Sequence, residues 1–440
     1  MTMKKSLVSM LMIILILISC CSRIEVAQTP PEESAVRHST EKTPALPETF
    51  LDSSEVTWTF SEDKKYTTIQ ANGNKIGIVR KLQAVDFSFV HPLGLTKIPV
   101  YNPDSDEMWQ VDLRSTDLSG ANLEGRVDDL LYASFDSKTK WPEKLPDGFN
   151  PDKIMELGKN PGLGMEKLHR KGTTGKGVGL AIIDQGLLVD HVEYKDQLRM
   201  YEEIHNGDKI AQMHGPAVAS IAVGKSVGVA PDADLYYIAS TFGTYDGKGG
   251  FEYDLTWIAR CIERIVEVSK MLAQDRKIRV ISISLGIAGG QWYGTEQALA
   301  AIEAAEKEGI YTVYVGSDKY WGMGREPLED PGEFSSYGKG LFWRNRKMNE
   351  TILLIPMDSR CTASPTGVND YVFYREGGMS WSVPYVAGLY ALACQVKPDI
   401  TPDIFWEAAE ATGVNMYEDN SEIDIVGKII NPVALIESLK

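Results

Sequence analysis

The chain has 440 residues, 43% hydrophobic and 24% charged, which is ordinary globular composition with room for one large or two smaller domains. Its formal net charge of −16 argues against a nucleic-acid partner, which needs a basic footprint. A core of this size needs no disulfide framework.

In chain order, Lys4 and Lys5 come first, followed by the apolar run LVSMLMIILILIS and then Cys20 and Cys21. A basic start, an apolar run and small residues make an export signal. The run falls short of the roughly 20 apolar residues of a membrane span. Leu17-Ile18-Ser19-Cys20 resembles the bacterial lipobox, which implies that Cys20 is lipidated and anchors the protein to the cell membrane. Loss of residues 1–19 removes two lysines from −16 and leaves −18.

Residues 20–55 are rich in Pro, Glu, Ser and Thr and read as a flexible linker. From residue 56 the stretches TWTF, YTTIQ and KIGIV alternate, and Asn72-Gly73 marks a hairpin between two of them. Residues 111–125 then repeat every five, as VDLRS, TDLSG and ANLEG, with Leu113, Leu118 and Leu123 in equivalent places and ASFDS at 133–137 as a possible fourth unit. They resemble pentapeptide-repeat proteins, whose leucines and phenylalanines stack inside a β-helix. So few repeats must lean on a neighbour. Together, residues 56–150 form a small β-rich accessory region.

From residue 151 strand-like and helical runs alternate to residue 440: VGLAIID, PAVASIAVG, DLYYIAS, TWIARCIERIVEVSKMLA, VISISLG, TEQALAAIEAAEKEG and YTVYVGS. That order predicts an α/β fold with a mostly parallel sheet and helices on both faces. Ligands bind such sheets at the carboxyl ends of the strands. Asp184 ends the first of these strands, His214 stands before Gly215-Pro216 at a helix start, and Ser380 follows Gly377-Gly378-Met379 at another. Each has a plain structural alternative: a turn-capping aspartate, a hydrogen-bonded histidine, an N-cap serine. Cys261, Cys361 and Cys394 form no metal or disulfide pattern and read as buried thiols.

Taken together, Asp184, His214 and Ser380 follow the chain order of the subtilisin triad. GKGVGLAIIDQGLLVDH, MHGPAVASIAVG…GVAP, ISLG and GGMSWSVPYVAG resemble, in order, the blocks of the subtilase family, and VGKIINPVALIESL resembles its closing strand and helix. The resemblance covers residues 151–440. It implies a three-layer serine endopeptidase domain in which Ser380 is the nucleophile, His214 the general base and Asp184 its orienting partner. It also implies that Ser284, Leu285, Gly286, Tyr314, Val315 and Gly316 flank an extended peptide or protein substrate.

There are departures. Ser317 stands where the family's oxyanion asparagine is expected, which makes it the oxyanion candidate. Met379, Trp381 and Tyr385 alter the frame of Ser380, and Pro216-Ala217 replace Thr-His beside His214. Only Gly224-Lys225-Ser226-Val227 occupies the place of the usual calcium-binding insertion, so no cofactor or metal ligand is assigned and calcium binding stays open. Residues 319–350 match no family block and read as a loop over the site. The alternative to a working protease is a weak or inactive subtilase fold that binds peptides or partners at the cell surface.

Overall fold

Odd and even residues of one short strand enter two different cores, and this alternation makes the layers. The computed structural model describes residues 56–60, 66–71, 74–80, 82–85, 95–105, 107–208, 210–245, 250–287, 292–316, 318–344, 352–418 and 424–440. Five strands form the main sheet: β1 (Gly179–Asp184), β2 (Leu198–Glu203), β3 (Asp234–Ala239), β4 (Ile278–Gly286) and β5 (Tyr311–Val315). They lie in the order β5-β4-β1-β3-β2, all parallel. Leu180 and Ile182 face the core that holds helices α1 (His214–Val223) and α4 (Met379–Val396). Ala181 and Ile183 face the core under α2 (Thr256–Met271) and α3 (Thr295–Lys307). The expected α/β three-layer fold is therefore what the chain forms. Strand β2 is an addition, because LRMYEE carries too little apolar character to announce a strand.

Residues 319–350 depart from the expected loop. Tyr320–Arg325 pairs in parallel with Leu353–Pro356, and Tyr337–Lys339 pairs antiparallel with Tyr320–Arg325. The closing strand Ile425–Ile429 and Val414–Tyr417 complete this second five-stranded sheet. A parallel partner more than thirty positions away supplies the backbone hydrogen bonds that local sequence does not reveal.

The accessory region does lean on a neighbour. Leu113, Leu118 and Leu123 are all buried, and each carbonyl accepts from the N–H three residues on: Thr116, Ala121 and Arg126. Their cluster takes in Phe373, which lies on the hairpin formed by Arg360–Ala363 and Tyr371–Tyr374. Ala133–Asp136 adds to that hairpin with Phe135 opposite Phe373, ring centroids 5.3 Å apart. One sheet thus joins residues 111–136 to the chain that leads into Ser380. Nearer the N-terminus, Val56–Phe60, Tyr66–Ala71 and Asn74–Arg80 make an antiparallel three-stranded sheet, with Ala71 opposite Asn74. The export signal, Cys20 and the linker lie outside the described residues.

Candidate active site

The same alternation aims Asp184. It continues the series Leu180, Ile182 and so projects toward α1. There Asp184 Oδ1 accepts from His214 Nδ1 at 2.7 Å and from the Gln185 N–H at 2.8 Å. Asp184 is 2% exposed, so the pair acts in a medium that screens it little. His214 is the first residue of α1. Gly215 lets it approach: a Cβ there would sit 2.6 Å from both the Gln185 carbonyl and the Tyr237 hydroxyl.

Ser380 is the second residue of α4, after Gly378 at the N-cap with φ 69°. The two preceding glycines have separate reasons. Gly378 needs the left-handed backbone. Gly377 has no room for a side chain, since a Cβ would lie 2.1 Å from the Met357 carbonyl. Its N–H donates to Asp358 Oδ1 at 2.9 Å, and the Leu341 N–H donates to Oδ2 at 2.8 Å. Burial pushes the Asp358 carboxyl up to about 6 against these two bonds. Gly377→Ala is expected to cost about 1–3 kcal/mol by overpacking and to lower activity, because it moves the backbone that carries Ser380. Thermal unfolding and a turnover assay on the same sample check this, and a fully active, equally stable variant would contradict it.

Pro384 lies inside α4 rather than at its start. It has no N–H for the carbonyl four residues earlier, which is that of Ser380. Ser284 Oγ takes that carbonyl instead, at 2.9 Å, and Ser380 Oγ donates back to the Ser284 carbonyl at 3.4 Å. Ser284 therefore holds the nucleophile's own residue and is itself buried. His214 Nε2 is buried with no hydrogen-bond partner. The expected bond between Ser380 Oγ and His214 is thus not made here; the hydroxyl is turned toward Ser284. Such bonds are often long or misaligned before substrate binds.

His214 and Ser380 line one cavity with Val315, Trp321, Phe342 and Trp381. The residue after Ser380, Trp381, packs edge-on to the His214 ring at 5.3 Å and to Tyr374 at 5.2 Å. Of the expected substrate-flanking residues, Val315 lines this cavity, while Gly286 pairs with Val315 along the sheet edge and Leu285 is buried. Gly316 is exposed just beyond β5 with φ 99°. Tyr314 adjoins Val315 in the same strand. Alternation sends its side chain to the opposite face, beside Ile302 and Glu306, and its carbonyl accepts from the Tyr320 hydroxyl at 3.0 Å. Ser317 lies outside the described residues.

Sequence reasoning missed the cavity's other wall. Met108 and Trp109, from the accessory region, line it together with Glu376. The Trp109 N–H donates to Glu376 Oε2 at 2.8 Å and Trp109 Nε1 to the Glu376 carbonyl at 3.0 Å. Burial, helped by Asp358, pushes the Glu376 carboxyl up to about 7, and Arg375 and Arg344 pull the other way. No local pattern marks this contact; the isolated aromatic in DEMWQV was its only signal.

His191, from the aspartate block, is buried, with Nε2 against the Asp370 carbonyl and Nδ1 accepting from the Glu193 N–H; burial lowers its pKa. It supports structure away from Ser380. All three described cysteines are buried free thiols, each pushed up to about 12 by burial, which disfavours thiolate chemistry. Among the described residues no group of three or more His, Cys, Asp or Glu side chains is placed to hold a metal ion.

A parallel-sheet domain with an Asp–His pair and a helix-borne serine around one cavity defines the class of the Asp-His-Ser serine endopeptidases. Residues 175–337 match the family model of the subtilases, Peptidase S8, and this stretch holds the strands of the parallel central sheet. The matched segment ends before Ser380, which joins the site through the fold. The chain is 29% identical over 270 residues to an intracellular serine protease of Paenibacillus polymyxa, covering 54% of this chain and 75% of that protein. It is 27% identical over 241 residues to subtilisin-like protease 2 of Trichophyton rubrum, covering 51% of each. The chain thus spans about half the length of the fungal relatives it matches. Among solved structures, the prenylagaramide maturation protease PagA aligns with a TM-score of 0.43 at 18% identity, over 63% of this chain and 98% of that one.

Proposed function

We propose that this protein is a lipid-anchored, extracytoplasmic serine endopeptidase that cleaves peptides or proteins with Asp184, His214 and Ser380. The observation that carries the reading is the 2.7 Å bond from His214 Nδ1 to buried Asp184, with the other ring nitrogen unpartnered in the cavity that Ser380 lines. Ser380 Oγ attacks the scissile carbonyl as His214 Nε2 takes its proton. His214 then returns that proton to the leaving amine. Asp184 holds the tautomer and stabilises the imidazolium. The first N–H groups of α4 and the positive end of its dipole face the developing oxyanion. Ser317 is the proposed second donor.

Anchoring rests on Cys20 behind its apolar run and on the polar linker that follows. The name of the Paenibacillus relative puts that protein inside the cell; this chain's own N-terminal segment is the ground for export. Cleavage of the signal and mass spectrometry of the mature N-terminus test the anchor, and an unmodified Cys20 would overturn it.

One observation favours the alternative of a peptide-binding, non-cleaving subtilase fold: Ser380 Oγ bonds the Ser284 carbonyl and not His214. A fluorophosphonate probe decides between them. The full chain is expected to label covalently at Ser380, with labelling lost in Ser380→Ala and His214→Ala. Absence of labelling in the wild type across pH 5–9, a range of about two units either side of neutral that spans the titration of histidine, would leave only the binding reading.

A further inference from the structure

The cavity beside Ser380 is apolar with a few unpaired donors. Trp321 Nε1 and Trp381 Nε1 are buried without hydrogen-bond partners, and both residues line it. Unpaired buried N–H groups are rare and costly in native structures. A peptide main chain supplies the carbonyls that would satisfy them, and the surrounding Trp, Phe and Met side chains suit an apolar residue of that peptide.

Ser284 sits on one flank of Ser380, bonded to both its carbonyl and its hydroxyl, and none of residues 284–286 lines the cavity. The cavity is lined instead by the chain that runs through the nucleophile, residues 376–381, and by Val315, Met108 and Trp109. A substrate whose acyl part follows the Ser284–Gly286 edge carries its leaving part into it.

The wall made by Met108 and Trp109 is held in place. Trp109 spends both its N–H groups on Glu376, four residues before the nucleophile. Arg344 grips the same region through the Tyr101 hydroxyl and the Pro103 carbonyl, and Asp129 Oδ1 takes the Tyr101 N–H at 2.7 Å. Trp109 also has φ 53°, a strained backbone for a non-glycine residue, which persists only where the surroundings over-determine it.

We propose that Met108 and Trp109, contributed from outside the subtilase domain, are specificity-determining residues that make the enzyme select a large apolar side chain on the leaving-group side of the scissile bond. This rests on the endopeptidase reading above.

The test compares cleavage of two quenched fluorescent peptides that differ only in the residue after the scissile bond, Phe or Gly. The readout is the ratio of their kcat/KM values, which cancels any overall loss of activity. The full-length wild type is expected to prefer Phe by roughly tenfold or more, a usual discrimination for an apolar pocket. Trp109→Ala is expected to bring the ratio near one, Met108→Ala to lower it partway, and Trp109→Phe to keep most of it. A wild type without preference for Phe, or a ratio unchanged in Trp109→Ala and Met108→Ala, overturns the proposal while fluorophosphonate labelling still reports a working Ser380. An unlabelled wild type overturns the endopeptidase reading and this inference with it.

Discussion

Asp184→Asn is expected to lower kcat by about 10⁴ while leaving the fold intact, the scale of loss when a triad aspartate becomes its amide. The reason is the tautomer. Asp184 Oδ1 accepts from His214 Nδ1 at 2.7 Å, so the proton sits on Nδ1 and Nε2 is left free to act as base. An asparagine can present its NH₂ group there. The ring then accepts through Nδ1 and carries its proton on Nε2, the nitrogen that must receive the proton of Ser380. The imidazolium formed during attack also loses its counter-charge in a buried setting, where that charge is worth most. Asparagine has nearly the shape of aspartate, but the Gln185 N–H bonds the same Oδ1 as the ring, so turning the NH₂ to His214 leaves that N–H unmatched and is expected to cost roughly 1–3 kcal/mol of stability. Steady-state kinetics with a thermal melt checks both halves. Activity within tenfold of wild type would remove Asp184 from the mechanism.

Ser317→Asn is expected to act in the opposite direction and raise kcat by up to about 10²–10³, the magnitude known for the oxyanion asparagine of subtilisin. In the sequence the position follows Gly316, the residue just beyond β5. A serine hydroxyl is shorter than an asparagine amide and has a single proton to give. The longer side chain restores a donor aimed at charge that develops only in the transition state, so the gain should fall on kcat and leave KM nearly unchanged. Burst or single-turnover kinetics would locate the gain in acylation. An unchanged kcat would mean that the oxyanion is already well served from elsewhere, for which the unpartnered Nε1 of Trp381, in the wall of the same cavity, is a candidate.

Asp184 and Ser317 were both singled out before any fold was known, by the resemblance of their blocks to the subtilases. A buried parallel strand alternates, and VGLAIID ends on a carboxylate. Pro216 marks a helix start beside His214, and Gly377-Gly378 marks the turn that delivers Ser380. In each case backbone chemistry local to a few positions decides the outcome. The same locality explains why β1, β3, β4 and β5 were visible from their apolar runs while β2 was not.

Other features depend on contacts between distant parts of the chain. Whether Trp381 faced core or substrate was open until it packed between His214 and Tyr374. Trp109 reaches Glu376 across 267 positions, and Ala133–Asp136 finds its place beside Tyr371–Tyr374. Residues 320–325 become a strand because Leu353–Pro356 offers them a ladder. Strand parity, helix termini and glycine turns thus place Asp184, His214 and Ser380 at element edges, and the resemblance of their blocks to the subtilases implies the class of chemistry proposed for them. Only the folded molecule determines what surrounds the nucleophile, because the accessory region's leucines cannot bury themselves alone. They dock on Phe373, and Met108 and Trp109 form a wall of the site.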